Sequence, residues 1–233
     1  MPAMTATHST DPARTPGIAR KLRNAAWPWL ALLAGCGTTE FEAKPTIPTP
    51  LVAKIPVVIG VYMAPEFSQK VYREDRDGAD FAISLGKAQS EAFMRLMAAM
   101  FTRAVPVAAT DAGARTDPEI RGVLEPVLED FAFVTPADSG TDVYAVSLRY
   151  RVNGYRPDGE FTDSWTFTGY GAAAVGNLLG IGSDALQKAT QLAMRDAGAR
   201  LATELHEQAI VRGLLNADAP APAPATEAAP PPQ

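Results

Sequence analysis

The chain has 233 residues, 47% of them hydrophobic, and carries 26 acidic against 21 basic residues for a net charge of −5. A surface of that sign repels phosphate backbones and anionic head groups, which argues against nucleic-acid binding and against membrane adsorption through charge. A single cysteine, Cys36, leaves no internal disulfide to form, and Ser-His-Asp, Cys-His and histidine-metal chemistry are not expected, because Cys36 is taken up as an acyl carrier, His8 leaves with the leader described below and His206 then stands alone.

The first 35 residues have the layout of a secretory leader: a basic segment (Arg14, Arg20, Lys21, Arg23), an apolar run over 25–34, then small residues. That run is interrupted by Pro28 and is too short to cross a bilayer, which takes roughly 20 apolar residues. The segment before residue 25 is long for such a leader, which suggests a translation start downstream of Met1. Leu33-Ala34-Gly35-Cys36 resembles the lipobox of bacterial lipoproteins. The resemblance implies diacylglyceryl attachment to the Cys36 thiol, cleavage between Gly35 and Cys36, and further acylation of the new terminus. Three acyl chains hold a protein on a membrane essentially permanently, where one holds only marginally. Loss of 1–35 removes four basic residues and one acidic residue, leaving 17 Lys+Arg, 25 Asp+Glu and a net charge of −8. Gly37 follows the cysteine where lipoproteins retained at the inner membrane of enteric bacteria carry Asp, so the expected location is the periplasmic face of the outer membrane.

From 36 to 54 the chain is read as a lipidated cysteine followed by a tether, since Pro45, Pro48 and Pro50 stand among threonines without periodicity. Fully extended at about 3.1 Å per residue, 37–52 would reach roughly 50 Å. A single domain is expected over 55–215.

The nearly unbroken apolar run 55–63 predicts a strand covered on both faces, placed in the centre of a sheet. In 64–84, Val71-Tyr72 and Phe81 to Ile83 flank the turn signal Asp77-Gly78, an irregular hairpin. Ser84 is positioned to cap a helix over 85–101, whose buried face is Leu85, Ala88, Ala92, Phe93, Leu96, Met97 and Met100. A short strand follows with Pro106, which marks an edge or an end, then a polar loop passes Gly113 and Pro118, and 123–135 is strand-like.

Tyr144, Val146, Leu148, Tyr150 and Val152 alternate with Ala145, Ser147, Arg149, Arg151 and Asn153, so 142–153 has one core face and one wet face. Pro157-Asp158-Gly159 turns the chain into 161–170, where Phe161, Trp165 and Phe167 are assigned to the core and Thr162, Ser164, Thr166 and Thr168 to the opposite face. The glycine-rich 169–182 is read as a flexible connection. After it, Ser183 caps a long helix with Asp184 in its first turn; its stripe is Leu186, Ala189, Ala193, Ala197, Leu201 and Leu205, with an exposed Arg200–Glu204 pair and Gly213 as its stop. Residues 216–233 form an Ala/Pro tail too poor in large apolar groups to fold.

Few patterns compete for a chemical role. Gly169-Tyr170-Gly171 followed by Ala174 fits G-x-G-x-x-A after a strand, but no helix begins there and no parallel strand follows, so a dinucleotide is not expected; no Gly-Lys-Ser/Thr completes a P-loop. Met94, Met97 and Met100 have a spacing that could serve Cu(I), but a packed helix face produces the same spacing. Asp75, Asp77, Gly78 and Asp80 echo a calcium loop, yet Arg73 and Ser84 occupy its first and twelfth positions. His206, among Glu204 and Glu207, reads as a surface residue. No catalytic residue, metal site or cofactor is assigned.

The order strand, helix, strands, hairpin, long helix behind a lipobox resembles small envelope lipoproteins of the YajG, LpoB and CsgG amino-domain kind, and more loosely the lipopolysaccharide-assembly lipoprotein LptE. The likeness spans roughly 55–212 and rests on the hairpin with Tyr150 and Trp165 and on the Ala-rich last helix. It implies an α+β domain, a mainly antiparallel sheet with two helices on one face. The expected function is that of a membrane-anchored, non-enzymatic accessory or binding module, with the membrane and an envelope protein as partners and no nucleotide. The alternative is a carboxylate-dependent hydrolase of cell-wall glycan.

Overall fold

A computed structural model of the protein describes residues 38–44, 47–76, 78–111, 117–176, 182–208, 211 and 213. The leader, Gly35, Cys36 and the tail 216–233 lie outside the described residues.

The fold is α+β and is built on two sheets. Strand β2 (Ile55–Tyr62) lies between β5 (Phe101–Val107) and β6 (Ile120–Val134), parallel to both. From β6 the sheet continues as an antiparallel meander through β7 (Val143–Tyr155) to β8 (Phe161–Ala174). The apolar run 55–63 is therefore an interior strand, as its composition predicts, and Pro106 falls on the edge strand β5, where a residue without an N–H is tolerated. Between β2 and β5 the chain inserts a short helix α1 (Pro65–Ser68), the hairpin β3 (Val71–Arg76) and β4 (Ala79–Ser84), and helix α2 (Gly86–Met100). The hairpin turns at Gly78, whose φ of 78° suits a residue without Cβ.

The second sheet has the order β1-β4-β3, with β1 (Thr38–Glu42) parallel to β4. This changes the reading of 37–52 as a tether. Thr38 pairs with Asp80 and Glu42 with Ser84, and Ala43 and Ile47 beyond the strand are buried at 1% and 7% exposure. Composition hid the strand because prolines dominate the stretch, whereas β4 supplies a ready ladder for the five residues that precede them.

Helix α2 begins one residue later than Ser84 capping would place it. Leu85 is its N-cap, without a side-chain cap, and the amides of Leu85 and Gly86 donate to the Lys70 carbonyl at 2.9 and 3.0 Å. The helix start is held by docking on the α1 turn, so a serine is not needed there. Its face Ala88, Ala92, Phe93, Leu96, Met97 and Met100 is buried, which places Met97 and Met100 in the core and leaves Met94 half-buried against it.

Helix α4 (Gly182–Glu204) buries the whole expected stripe from Leu186 to Leu201, and Leu205, in the 3₁₀ turn Leu205–Glu207 that follows, is fully buried too. Arg200 pairs at 3.4 Å with Asp196, one turn before it, and not with Glu204, one turn after it, as expected, and α4 ends well before Gly213.

Strand β8 runs on to Ala174, through Gly169 and Gly171, the first two of the glycines read as a flexible connection. A Cβ on Gly169 would lie 2.2 Å from the Ala193 oxygen and one on Gly171 2.1 Å from the Ala189 oxygen. These glycines let α4 lie directly on the strand, and the alanine stripe supplies the matching low surface on the helix. Helices α2 and α4 thus cover one face of the large sheet, together with the small sheet: Tyr72 and Phe81 bring their rings to 4.6 Å from Phe131 and 4.9 Å from Phe133, respectively.

Candidate binding face

With both long helices on one side, the other side of β6, β7 and β8 faces solvent. Cross-strand pairs set its rows: Ala145 with Val134 and Ala172, Ser147 with Ala132 and Tyr170, Arg149 with Asp130 and Thr168, Arg151 with Val127 and Thr166, Asn153 with Glu125 and Ser164. The period-2 alternation predicted for β7 places these side chains correctly, and the opposite set, Val146, Leu148, Tyr150 and Val152, is buried.

Two bulges shape the face. In β6 the ladder steps from Leu128–Tyr150 to Asp130–Arg149, leaving Glu129 as the extra residue. Its carboxylate lies between two arginines, 3.4 Å from Arg149 Nε and 3.2 Å from Arg151 Nη1. Arg151 Nε is itself buried and has no hydrogen-bond partner. In β8 the ladder steps from Asp163–Gly154 to Phe161–Tyr155, skipping Thr162. A one-residue shift moves a side chain to the other face. Phe161, assigned to the core with Trp165 and Phe167, is 53% exposed and meets the ring of Tyr155 edge-on at 5.9 Å. Trp165 is half-buried and stacks on the buried Phe167 at 4.6 Å.

Beside that aromatic pair, Glu125 accepts from the Tyr155 hydroxyl at 2.6 Å and from Asn153 Nδ2 at 3.0 Å. Partial burial, reinforced by this carboxylate, pushes the Tyr155 phenol up to about 12. Tyr170, 60% exposed, stands in the last third of β8, and its backbone N–H donates to Asp196 Oδ2 at 3.0 Å, so the helix occupies a donor on the outer edge of the sheet.

The covered side holds an apolar cleft of about 40 Å³ bordered by Phe67, Phe93, Leu96, Tyr150, Phe167 and Leu201. Its polar groups satisfy one another: Gln89 Nε2 donates to the Phe67 carbonyl at 2.6 Å, and the Tyr150 hydroxyl donates to Gln89 Oε1 at 3.4 Å. Full burial pushes the Tyr150 phenol up strongly. Small-molecule sites run to several hundred Å³, so this cleft is a packing gap with room for little more than water.

The remaining sequence candidates are dispersed. Gly169, Gly171 and Ala174 lie in β8 and serve packing. Asp75 and Asp80 face each other across the β3–β4 hairpin, while Asp77 lies outside the described residues. His206 Nε2 lies 2.9 Å from the Ala53 carbonyl oxygen, pinning the segment before β2. Among the described residues, no three His, Cys, Asp or Glu side chains come together as metal ligands. Among the described residues, the Glu74, Asp117 and Asp138 carboxyls are held below the usual range: Glu74 chiefly by the Tyr72 hydroxyl, Asp117 by Arg103, and Asp138 by the Thr135 amide and hydroxyl.

No known protein-family model matches the chain, and no curated protein matches it. Among solved structures, a Xanthomonas campestris protein of the DUF330 family aligns over 77% of this chain and 97% of its own, at 10% identity and a TM-score of 0.42. A candidate homolog of the neuraminyllactose-binding hemagglutinin from Helicobacter pylori aligns over 70% of this chain and 92% of its own, at 13% identity and a TM-score of 0.45. A candidate lipoprotein of Caulobacter crescentus aligns over 41% of this chain and 75% of its own, at 13% identity and a TM-score of 0.27.

Proposed function

We propose that this chain is a lipid-anchored envelope lipoprotein, attached through Cys36 at the periplasmic face of the outer membrane, whose domain serves as a non-enzymatic accessory to a membrane-bound protein complex. The observation that carries the binding role is the open face of β6–β8. Of the five exposed large hydrophobic residues among those described, Phe161, Tyr170 and Val134 lie on it, interleaved with Arg149, Arg151 and rows of hydroxyls, while Leu51 and Val71 lie elsewhere. Tyrosine and arginine are the residue types that dominate protein–protein hot spots, and a rigid strand surface presents them with little loss of entropy on binding. Anchoring raises the effective concentration toward other membrane-bound proteins, so a weak interface of this kind suffices. The resemblance of the element order to envelope assembly lipoproteins supports the same reading.

The test is affinity isolation from solubilised membranes with the native chain and with a Tyr170→Ser, Phe161→Ser double variant, both sites being exposed. A stoichiometric protein partner lost only in the variant supports the proposal. Turnover of isolated peptidoglycan by the purified domain, abolished by carboxylate substitutions, would replace it with the glycan-hydrolase reading.

A further inference from the structure

We infer that one end of the domain rests directly on the membrane and that β6–β8 rise away from it. This goes beyond the proposed anchoring and rests on it. The observation is how close Cys36 lies in sequence to a paired strand: Thr38 is already in β1, two residues after it. Two residues span at most about 7 Å. A lipidated Cys36 therefore leaves almost no slack, and the start of β1 is held at the headgroup level.

The register shows what else lies at that end. Because β1 is parallel to β4, its first residue pairs with Asp80, next to the Gly78 turn of the hairpin. Arg76, the last residue of β3, reaches Asp138 at 2.9 Å and the Phe133 carbonyl at 3.1 Å, so the connection from β6 to β7 with its short helix α3 (Pro136–Ser139) lies alongside. Val143 pairs with Ala174, and the Val175 amide donates to the Asp142 carbonyl, which adds the end of β8. The opposite end is the β7–β8 turn at 156–160. At about 3.3 Å per residue, the thirteen residues of β7 separate the two ends by roughly 40 Å.

Charge favours the upright pose. Asp80, Asp138 and Asp142 at the near end keep it at headgroup level and out of the hydrocarbon. A domain laid on its side would bring still more of an acidic surface against anionic lipids, which repel it. In the upright pose the open face stands as a wall beside the membrane, with Phe161 and Tyr155 at its top.

The experiment uses the full lipidated chain in phosphatidylethanolamine/phosphatidylglycerol vesicles containing nitroxide-headgroup lipid. A fluorophore is placed through Ala137→Cys at the near end or Asp158→Cys at the far end, Cys36 being blocked by its own acylation. The expected result is several-fold quenching at position 137 and none at 158. Inserting a twenty-residue Gly/Ser spacer between Gly37 and Thr38 should remove the quenching at 137. Equal quenching at both positions, no quenching at either on a chain whose acylation mass spectrometry confirms, or quenching at 137 that survives the spacer overturns the inference while leaving the anchor intact. An unacylated mature chain overturns the anchor and the inference with it.

Discussion

The Ala189 carbonyl oxygen lies 2.1 Å from where a Cβ on Gly171 would sit, and the Ala193 amide nitrogen lies 2.4 Å from the same point. Both atoms are helix backbone, which cannot swing aside as a side chain end can. Gly171→Ala therefore forces α4 off the sheet along its buried stripe, and the expected cost is about 3 kcal/mol or more, at the upper end for overpacking. Gly169→Ala, with the Ala193 oxygen at 2.2 Å, should behave alike. Urea denaturation of the two variants checks this, with Gly176→Ala, where a Cβ meets nothing within 4 Å, as the neutral comparison.

Phe167 and Trp165 stack at 4.6 Å but differ in burial, Phe167 being 8% exposed and Trp165 half-buried. Phe167→Ala should cost about 3–5 kcal/mol, the range for emptying a buried aromatic site. Trp165→Ala should cost less, about 2 kcal/mol, because only part of its area leaves water on folding. The order of the two unfolding midpoints is the measurement; a larger loss at Trp165 would mean that the indole is the true core contact.

Two phenols link stability to alkaline pH. Tyr72 and Tyr155 are both pushed up to about 12, first by burial and then by Glu74 and Glu125, whose carboxylates accept from their hydroxyls. The folded value lies above the unfolded value of about 10. Their contribution is therefore fully present below pH 10 and is lost as pH rises from 10 through 12. Phenolate absorbance on titration should show Tyr72 and Tyr155 ionising late, alongside the buried Tyr150 and the partly buried Tyr144, and stability should fall over the same interval. In a Tyr72→Phe, Tyr155→Phe variant that part of the alkaline loss should disappear.

The elements carried by a clean period were legible in the sequence. The alternation 142–153 and the stripe Leu186 to Leu205 require only that one face be apolar, and both elements bury the expected residues except Tyr144, which is partly buried at the start of β7. The departures share a cause: partners distant in sequence decided them. Gly169 and Gly171 look like loop residues until α4 is laid across them. The β8 bulge at Thr162 turns Phe161 over, and nothing local to 161–170 signals it. The Arg149–Glu129–Arg151 cluster depends on a second bulge in β6 that no composition rule places. The binding face was legible as a polar strand face, whereas its aromatic upper end was not.

Ile47 and Leu51 stand four residues apart in the stretch that composition reads as a tether, and the structure treats them oppositely. Ile47 is 7% exposed; its methyl carbons lie where a Cβ on Gly198 of α4 would come within 3.3 Å, beside Leu96 of α2. Leu51 is fully exposed. A tether would make both substitutions neutral. The packing requires that Ile47→Ala leave a gap between α2 and α4 and cost about 2–4 kcal/mol, while Leu51→Ala changes nothing measurable. Removing β1 as well should weaken the domain further, since β4 would lose a parallel ladder partner and Gln187 Nε2 would lose the Glu42 carbonyl it donates to at 2.9 Å. Urea midpoints of the two point variants decide it: equal midpoints would return 37–52 to the status of a linker and give the anchored domain back its freedom to stand off the membrane.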